Sequence, residues 1–356
     1  YLSYVEAART TRQSSRRLLA RAVEAGAVPW DEAAKPKAGQ LLYWQDATSG
    51  SLAFLRVGSR GVDEGLSVVL ASHDSALIRL TPNPIYEKSG LALFDTSIMG
   101  TLKLESWLHT PLALSLYQAP GKAGGKARSL VLGDDPGEPV FTIPDLLPHL
   151  SRKVQKGKLV DSPERLDAVA GFTAKALEAT LASRGFPARS LSSLEAVLIP
   201  AGKAAYVGVD RALLAGANHY SRAVPFAAMS ALLEGEASRS TLLILMGRDR
   251  QFYAGAGPEA HISGLVPRAI ETLASDVDAL RLRRILARTR VLMFDHTGGD
   301  RNRGVVLGTR RDDSSPSAYR HAIEILRVGN VATQLLQTSG WSQAREVASL
   351  DIDTVA

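Results

Sequence analysis

Ser67-Val-Val-Leu-Ala-Ser-His-Asp-Ser-Ala-Leu-Ile-Arg-Leu-Thr-Pro-Asn-Pro84 opens with four apolar residues among its first five, two of them β-branched. That composition predicts a fully buried strand of a parallel sheet. The apolar run then gives way to Ser72, His73, Asp74 and Ser75. A doubly wound sheet holds its ligands at this place, the carboxyl end of a strand. The same grammar returns twice. Thr241-Leu-Leu-Ile-Leu-Met246 runs into Gly247-Arg-Asp-Arg250, and Arg290-Val-Leu-Met-Phe294 runs into Asp295-His-Thr-Gly-Gly299. Three apolar strands that each release polar residues at one end predict a site at one rim of a sheet.

Length and composition bound what can surround that rim. The chain has 356 residues, enough for two domains and a sizeable core. Hydrophobic residues make up 45% and charged residues 22%, ordinary values for a globular chain. No apolar run approaches the roughly 18–20 residues that cross a bilayer, so no membrane span is expected. The absence of cysteine excludes disulfides, thiolate nucleophiles and Cys-ligated metal sites. A net charge of +6 suits either plain solubility or contact with RNA, anionic lipid or an acidic partner.

The first residue is Tyr rather than Met, and the chain is expected to start upstream of it. Thr10-Thr-Arg-Gln-Ser-Ser-Arg-Arg-Leu-Leu19 is Arg/Ser-rich in the manner of a mitochondrial presequence. It also continues into an amphipathic helix that stops at Gly26. A mitochondrial location is expected on this basis, with a cytoplasmic one as the alternative.

Along the chain, residues 1–26 read as one helix and 29–39 as a turn-rich connection. Strands are expected at 40–44 and 51–57, then at 67–71. Residues 90–118 read as three antiparallel strands at 91–94, 101–107 and 112–117, with a basic loop at 122–127. A helix is expected from Ser162 to about Gly185, started by Ser162, Pro163 and Glu164. Strands follow at 191–200 and 204–209. Further on, helices are expected at 223–234, 264–287 and 317–328, between strands 241–246 and 290–294. The predicted fold is an α/β domain split between residues 1–85 and 215–356, around a β-rich insert at 86–214.

Longer motifs add a resemblance to these elements. Ala71-Ser-His-Asp-Ser-Ala76 and Leu80-Thr-Pro-Asn-Pro84 resemble the Ala-His-Thr-Asp-Ser-Pro and Lys-Pro-Asn-Pro-like motifs of the aspartyl aminopeptidases, the clan that includes vacuolar aminopeptidase I. Gly100-Thr-Leu-Lys-Leu-Glu-Ser-Trp-Leu-His-Thr-Pro-Leu112 is similar to that family's Gly-Gly-Leu-X-His-Thr-Trp-Phe-Asp-Arg-Asp-Leu stretch. Ile143-Pro-Asp-Leu-Leu-Pro-His-Leu-Ser-Arg152 carries its Ile-Pro-X-Leu-X-X-His-Leu-X-Arg signature intact. The resemblance implies a three-layer metallopeptidase-type α/β domain with an inserted β-rich dimerisation domain.

It also implies a dinuclear zinc site, and two cations about 3.5–4 Å apart need several inward-facing anionic ligands. Carried over position by position, a ligand His falls on Ser72, and the aspartate that orients a ligand is kept as Asp74. The bridging aspartate falls on Tyr220. The catalytic Glu-Glu pair falls on Asp249 and Arg250, one ligand aspartate is kept as Asp295, and the last ligand His falls on Ser342. A His lent to a neighbouring subunit falls on Glu105, beside Trp107, and these two are the expected interface residues. A one-residue slip could bring in His73 or His219, but residues 218–222 contain no acid to bridge two metals.

Arg250 would place a permanent cation where a dication belongs. On this transfer the zinc is expected to be lost and the chain to be no enzyme. The implied role is a structural or assembly subunit of a larger complex, most concretely a mitochondrial ribosome or similar ribonucleoprotein. Its partners would be protein subunits, RNA through the basic surface, and a homo- or hetero-dimer through the insert. Two alternatives stand beside it. One is a metallo-aminopeptidase with an altered metal site; the other is a module that binds an anion or peptide in a pocket made basic by Arg248, Arg250, Arg301 and Arg303. Gly298-Gly-Asp-Arg-Asn-Arg-Gly304 lacks nucleotide-loop spacing and reads as a surface turn. Adjacent strand residues point opposite ways, so His73, Asp74 and Ser75 make no hydrolytic triad.

Overall fold

The computed structural model describes every residue except 33–34, 47–48, 101, 121–125, 146–165, 248–257, 295–304, 310–315, 338–352 and 356. Its helices are α1 (Leu2–Ala7), α2 (Thr11–Glu24), α3 (Ala174–Ser183), α4 (Tyr220–Glu234), α5 (Pro258–Leu273), α6 (Ala279–Arg288) and α7 (Pro316–Val328). Strands β1 to β6 are Val28–Pro29, Leu41–Gln45, Leu52–Arg56, Ser67–Ser72, Leu77–Lys88 and Leu91–Met99. Strands β7 to β12 are Leu112–Gln118, Arg128–Leu132, Ala168–Gly171, Glu195–Pro200, Ala205–Val207 and Leu213–Ala215. Strands β13 to β17 are Thr241–Met246, Arg290–Phe294, Val305–Thr309, Thr333–Gln337 and Asp353–Val355. The chain forms two compact units. One comprises Tyr1, residues 11–74 and 219–356; the other comprises residues 2–10 and 75–218.

The first unit is built on a seven-stranded sheet in the order β1-β2-β3-β13-β4-β14-β17. Here β13 and β14 run parallel to β4 on either side of it, and β3 lies antiparallel to β13. Thr241 and Arg290 both stand opposite Ser67, while Met246 stands opposite Ser72 and Phe294 opposite Ala71. The three strands therefore end flush at one rim.

Period-two alternation divides their side chains between two layers. Val68, Leu70, Leu242, Ile244, Val291 and Met293 share a core with Ile262, Val266 and Ile270 of α5 and Ile285 of α6. Val69, Leu243, Leu292 and Phe294 take the other face. With Val224, Ala227, Ala228 and Ala231 of α4 they line an apolar cavity of about 410 Å³. The helix α4 ends where the Arg56 guanidinium donates to the carbonyls of Leu232 and Leu233 at 2.9–3.2 Å, satisfying groups a helix terminus leaves open.

The second unit holds an antiparallel sheet in the order β8-β7-β10-β5-β6-β9. Ile78, Phe94, Leu114 and Leu198 pack there with Leu177 and Leu181 of α3, and the Phe94 and Phe141 rings stand 5.2 Å apart.

The α/β class with an antiparallel β-rich portion is as the sequence predicts, and particular elements differ. Residues 1–26 form two helices, because Arg9 between them turns inward, pairs with Asp134 and donates to the Pro200 carbonyl at 3.3 Å. The stretch expected as a strand at 101–107 is a 3-10 turn at Leu104–Trp107. Trp107 is only 8% exposed and packs into the core of the second unit. Glu105 is exposed. The long helix expected at 264–287 is two, because Asp278 caps α6 by accepting from the Arg281 amide at 2.7 Å. Strand β5 runs unbroken from Leu77 to Lys88, so the second sheet starts before residue 86. The expected helix start at Ser162 and residues 122–125 of the basic loop expected at 122–127 lie outside the described residues. Among the described residues no helix is long and apolar enough to cross a membrane.

Candidate functional site at the rim of the parallel strands

Beyond Ser72 the strand β4 keeps its ladder for one more residue, since the His73 amide donates to the Met246 carbonyl at 3.0 Å. This places the His73 ring in the interior, with no exposure. Its Nε2 lies 3.1 Å from the Gly50 carbonyl and its Nδ1 lies 3.0 Å from Ser14 Oγ. A carbonyl only accepts, so Nε2 carries the hydrogen and Nδ1 accepts from the Ser14 hydroxyl. The imidazole is neutral. Burial, and then the nearby Arg222 charge, push its pKa down to about 3. The next residue, Asp74, accepts from Thr11 Oγ1 at 2.8 Å, and its amide donates to Ser72 Oγ at 3.3 Å.

The end of β13 is pinned from the other side. Gly247 N donates to Ser51 Oγ at 3.0 Å, and His261 Nε2 of α5 sits 3.0 Å from the same hydroxyl. A Cβ on Gly247 would fall 2.2 Å from the Ser49 carbonyl oxygen and 2.6 Å from the Ser51 amide. Glycine is what allows the two backbones to meet.

The helix α4 supplies the third wall. Tyr220 is its first residue and is 49% exposed. Two residues on, Arg222 is completely buried. Pro225 lies inside this helix and has no N–H, so the Ser221 carbonyl loses its helical donor. The Arg222 guanidinium takes over, donating from Nη1 to the Ser221 carbonyl at 3.2 Å and to the His73 carbonyl at 2.7 Å. One cation thus ties the start of α4 to the exit of β4. His219, just ahead of the helix, lies 3.2 Å through Nδ1 from the Tyr1 hydroxyl.

Of the residues expected at this site, Ser72, Asp74 and Tyr220 lie in the first unit, on the exit of β4 and the start of α4. Asp249, Arg250, Asp295 and Ser342 lie outside the described residues, as do Arg248, Arg301, Arg303 and His149. Thr11, Ser14 and Arg222 surround the β4 exit without any motif announcing them. The Ser/Arg-rich stretch with presequence character is α2 itself, whose Ser14, Ser15 and Leu18 are buried.

Comparison with known proteins places this arrangement. A family model described as aminopeptidase I zinc metalloprotease (M18) matches residues 4–246. The chain belongs to the M18 family. A probable M18 family aminopeptidase 1 of Borrelia garinii subsp. bavariensis is 26% identical over 291 residues, covering 78% of this chain and 62% of its own length. Its counterpart in Thermotoga maritima is 28% identical over 260 residues, covering 70% of this chain and 57% of its own. The chain therefore spans under two thirds of the length of these curated relatives. Among solved structures, the M18 aminopeptidase of Thermotoga maritima superposes with a TM-score of 0.87 at 23% identity, covering 100% of this chain and 87% of that one. The mApe1 dodecamer of S. cerevisiae gives 0.74 at 16% identity, covering 99% and 87%. At these identities the structures speak for the M18 fold.

Membership corrects two expectations. A chain that is no enzyme, and that has lost its zinc, is not what the M18 assignment supports: the family is one of zinc metalloproteases, and its curated relatives are described as aminopeptidases. The physical reason lies in how the ligand positions were transferred. In a strand one residue of register turns a side chain to the opposite face, at a helix start it turns it by about 100°, and short motifs do not fix register that finely. The descriptions of these relatives lend no support to a ribonucleoprotein subunit. Among the described residues no group of three or more His, Asp or Glu side chains could hold a metal ion. His73 has both ring nitrogens engaged and Asp74 is bound by Thr11, so the described part of the rim does not by itself fit a zinc pair.

Proposed function

We propose that this chain is an M18-type aminopeptidase, a hydrolase that removes amino-terminal residues from peptides at the rim where β4, β13 and β14 end. One observation carries the reading: the family match runs from residue 4 to 246, through α2, β4 and the start of α4, and closes on the last residue of β13. Within the match His73, Asp74 and Arg222, and just beyond it Gly247, are each held by hydrogen bonds to a second element, which is what positions groups for chemistry.

We also propose that the chain self-associates, supported by the S. cerevisiae neighbour of the same fold, described as a dodecamer. The activity is tested with paired peptides, one with a free amino terminus and one acetylated, spanning acidic and neutral first residues. Release of the first amino acid from the free peptide alone is the expected result. No release from any peptide by folded, zinc-supplied protein would refute the reading.

A further inference from the structure

The rim opposite the candidate site, where β4, β13 and β14 begin, concentrates arginine. Residues 58–64, 235–240 and 279–290 carry seven arginines against the three acids Asp63, Glu64 and Glu236, with no lysine among them. These short stretches thus hold +4 of the chain's net charge of +6. The strand register brings them together. Ser67, the first residue of β4, stands opposite Arg290 of β14 and opposite Thr241 of β13, which follows Arg239 by two residues.

The loops that bear these arginines are docked on one another. A Cβ on Gly58 would fall 2.5 Å from the backbone of Arg239 and Ser240, and one on Gly65 would fall 2.4 Å from the Arg288 carbonyl. The Arg60 amide donates to the Ser238 carbonyl at 2.8 Å. Arg239 donates from Nη1 to the Arg288 carbonyl at 3.3 Å, and Arg288 from Nη1 to the Asp63 carbonyl at 2.9 Å. A guanidinium has five N–H donors, so each of these two is oriented by one hydrogen bond and keeps the rest. On α6, Arg281, Arg284 and Arg288 share one face, and Arg281 holds both Asp63 oxygens at 2.8 Å. Arg290 donates to His321 Nε2 of α7 at 2.7 Å and stands in register with Asp353. Arg60, Arg284, Arg288 and Arg290 are exposed, and Arg239 is half-buried between them. Burial and then the Arg290 charge push the Arg239 pKa down, with Arg60 acting the same way and Glu64 opposing. Cations this crowded favour an anion among them.

We infer that this rim docks an acidic segment of a partner protein, its Asp and Glu carboxylates pairing with Arg60, Arg239, Arg284, Arg288 and Arg290. Charge complementarity selects that occupant. The guanidinium fork meets a carboxylate through two parallel hydrogen bonds, the geometry Arg281 and Asp63 already show. Single-stranded RNA is bound where aromatic side chains stack its bases, and the three stretches contain no aromatic residue. A second copy docked across a twofold axis would present the same positive rim and be repelled. The rim and the candidate site lie at opposite ends of β4, so docking leaves hydrolysis free.

The test is fluorescence anisotropy of a labelled oligoglutamate peptide on the full chain, with an oligoglutamine peptide and a single-stranded RNA as competing probes. The variants are Arg60→Glu with Arg284→Glu, and Lys175→Glu on the exposed side of α3 as a control. Thermal midpoints confirm that each variant is folded. The expected result is binding of oligoglutamate alone, weakened by raising salt to about 0.15 M. The control should be unchanged and the double variant about tenfold weaker, the size of losing two exposed ion pairs. Amide exchange of the wild type should slow at 58–66 and 288–290 when the peptide binds, a readout that needs no variant. Equal binding by the double variant, or slowed exchange only elsewhere, would overturn the assignment of this rim. RNA bound more tightly than oligoglutamate would overturn the acidic protein segment as its occupant, and no binding of oligoglutamate at low salt would overturn the docking itself.

Discussion

The Arg222 guanidinium donates to the His73 carbonyl at 2.7 Å, and both residues are fully buried. The same nitrogen serves the Ser221 carbonyl that Pro225 leaves without a helical partner. A proline that would weaken α4 is thereby built into the joint between that helix and the strand exit. Replacing Arg222 with Ala should cost about 3 kcal/mol of stability, since two buried carbonyls lose their donor at ~1–3 kcal/mol each. Arg222→Lys should recover less than half of it, because an ammonium is more strongly hydrated than a guanidinium and costs more to bury. Denaturant midpoints of the two variants check both figures.

His73 makes stability depend on pH. Its folded pKa is pushed down to about 3, against about 6.5 when unfolded. Between those values the unfolded chain binds a proton that the folded chain refuses, so its contribution is full above the unfolded pKa and falls as pH drops below it. The slope is about 1.4 kcal/mol per pH unit, or about 2 kcal/mol between pH 6.5 and pH 5. Urea unfolding at pH 7.5, 6 and 5 should show this loss. His73→Gln, which keeps a donor and an acceptor without titrating, should flatten most of it.

Gly247 sits where a methyl group has no room. Gly247→Ala should cost about 1–3 kcal/mol, the range for overpacking a tight site, because its Cβ would press on the backbone of Ser49 and Ser51. The hydrogen bond from Gly247 N to Ser51 Oγ would break with it. Faster amide exchange at 49–51, with β13 still protected, is the expected signature.

The strands at the rim were legible from their continuous apolar runs: 241–246 and 290–294 stand as predicted, and the strand expected at 67–71 runs one residue further to Ser72. Less legible were elements decided by a single distant partner. Arg9 breaks the first helix through Asp134, some 125 residues away, and Arg222 looks like any surface arginine until packing buries it. Asp278 divides the stretch 264–287, which reads as one helix, by capping α6. The candidate site divides in the same way. Its position follows from strand ends, a local property. Its ligand set depends on side-chain register among loops and helix starts, which motif likeness at this distance does not determine. That is why a transferred loss of zinc failed where the transferred fold held.

Zinc binding and hydrolysis go together in an M18-type aminopeptidase. Native mass spectrometry of the full chain during a zinc titration, with release of amino-terminal residues timed on the same samples, addresses both at once. Bound zinc and hydrolysis rising in step, and both removed by a chelator, is the predicted result. A folded chain that retains no zinc and releases no amino acid at any zinc concentration would contradict it.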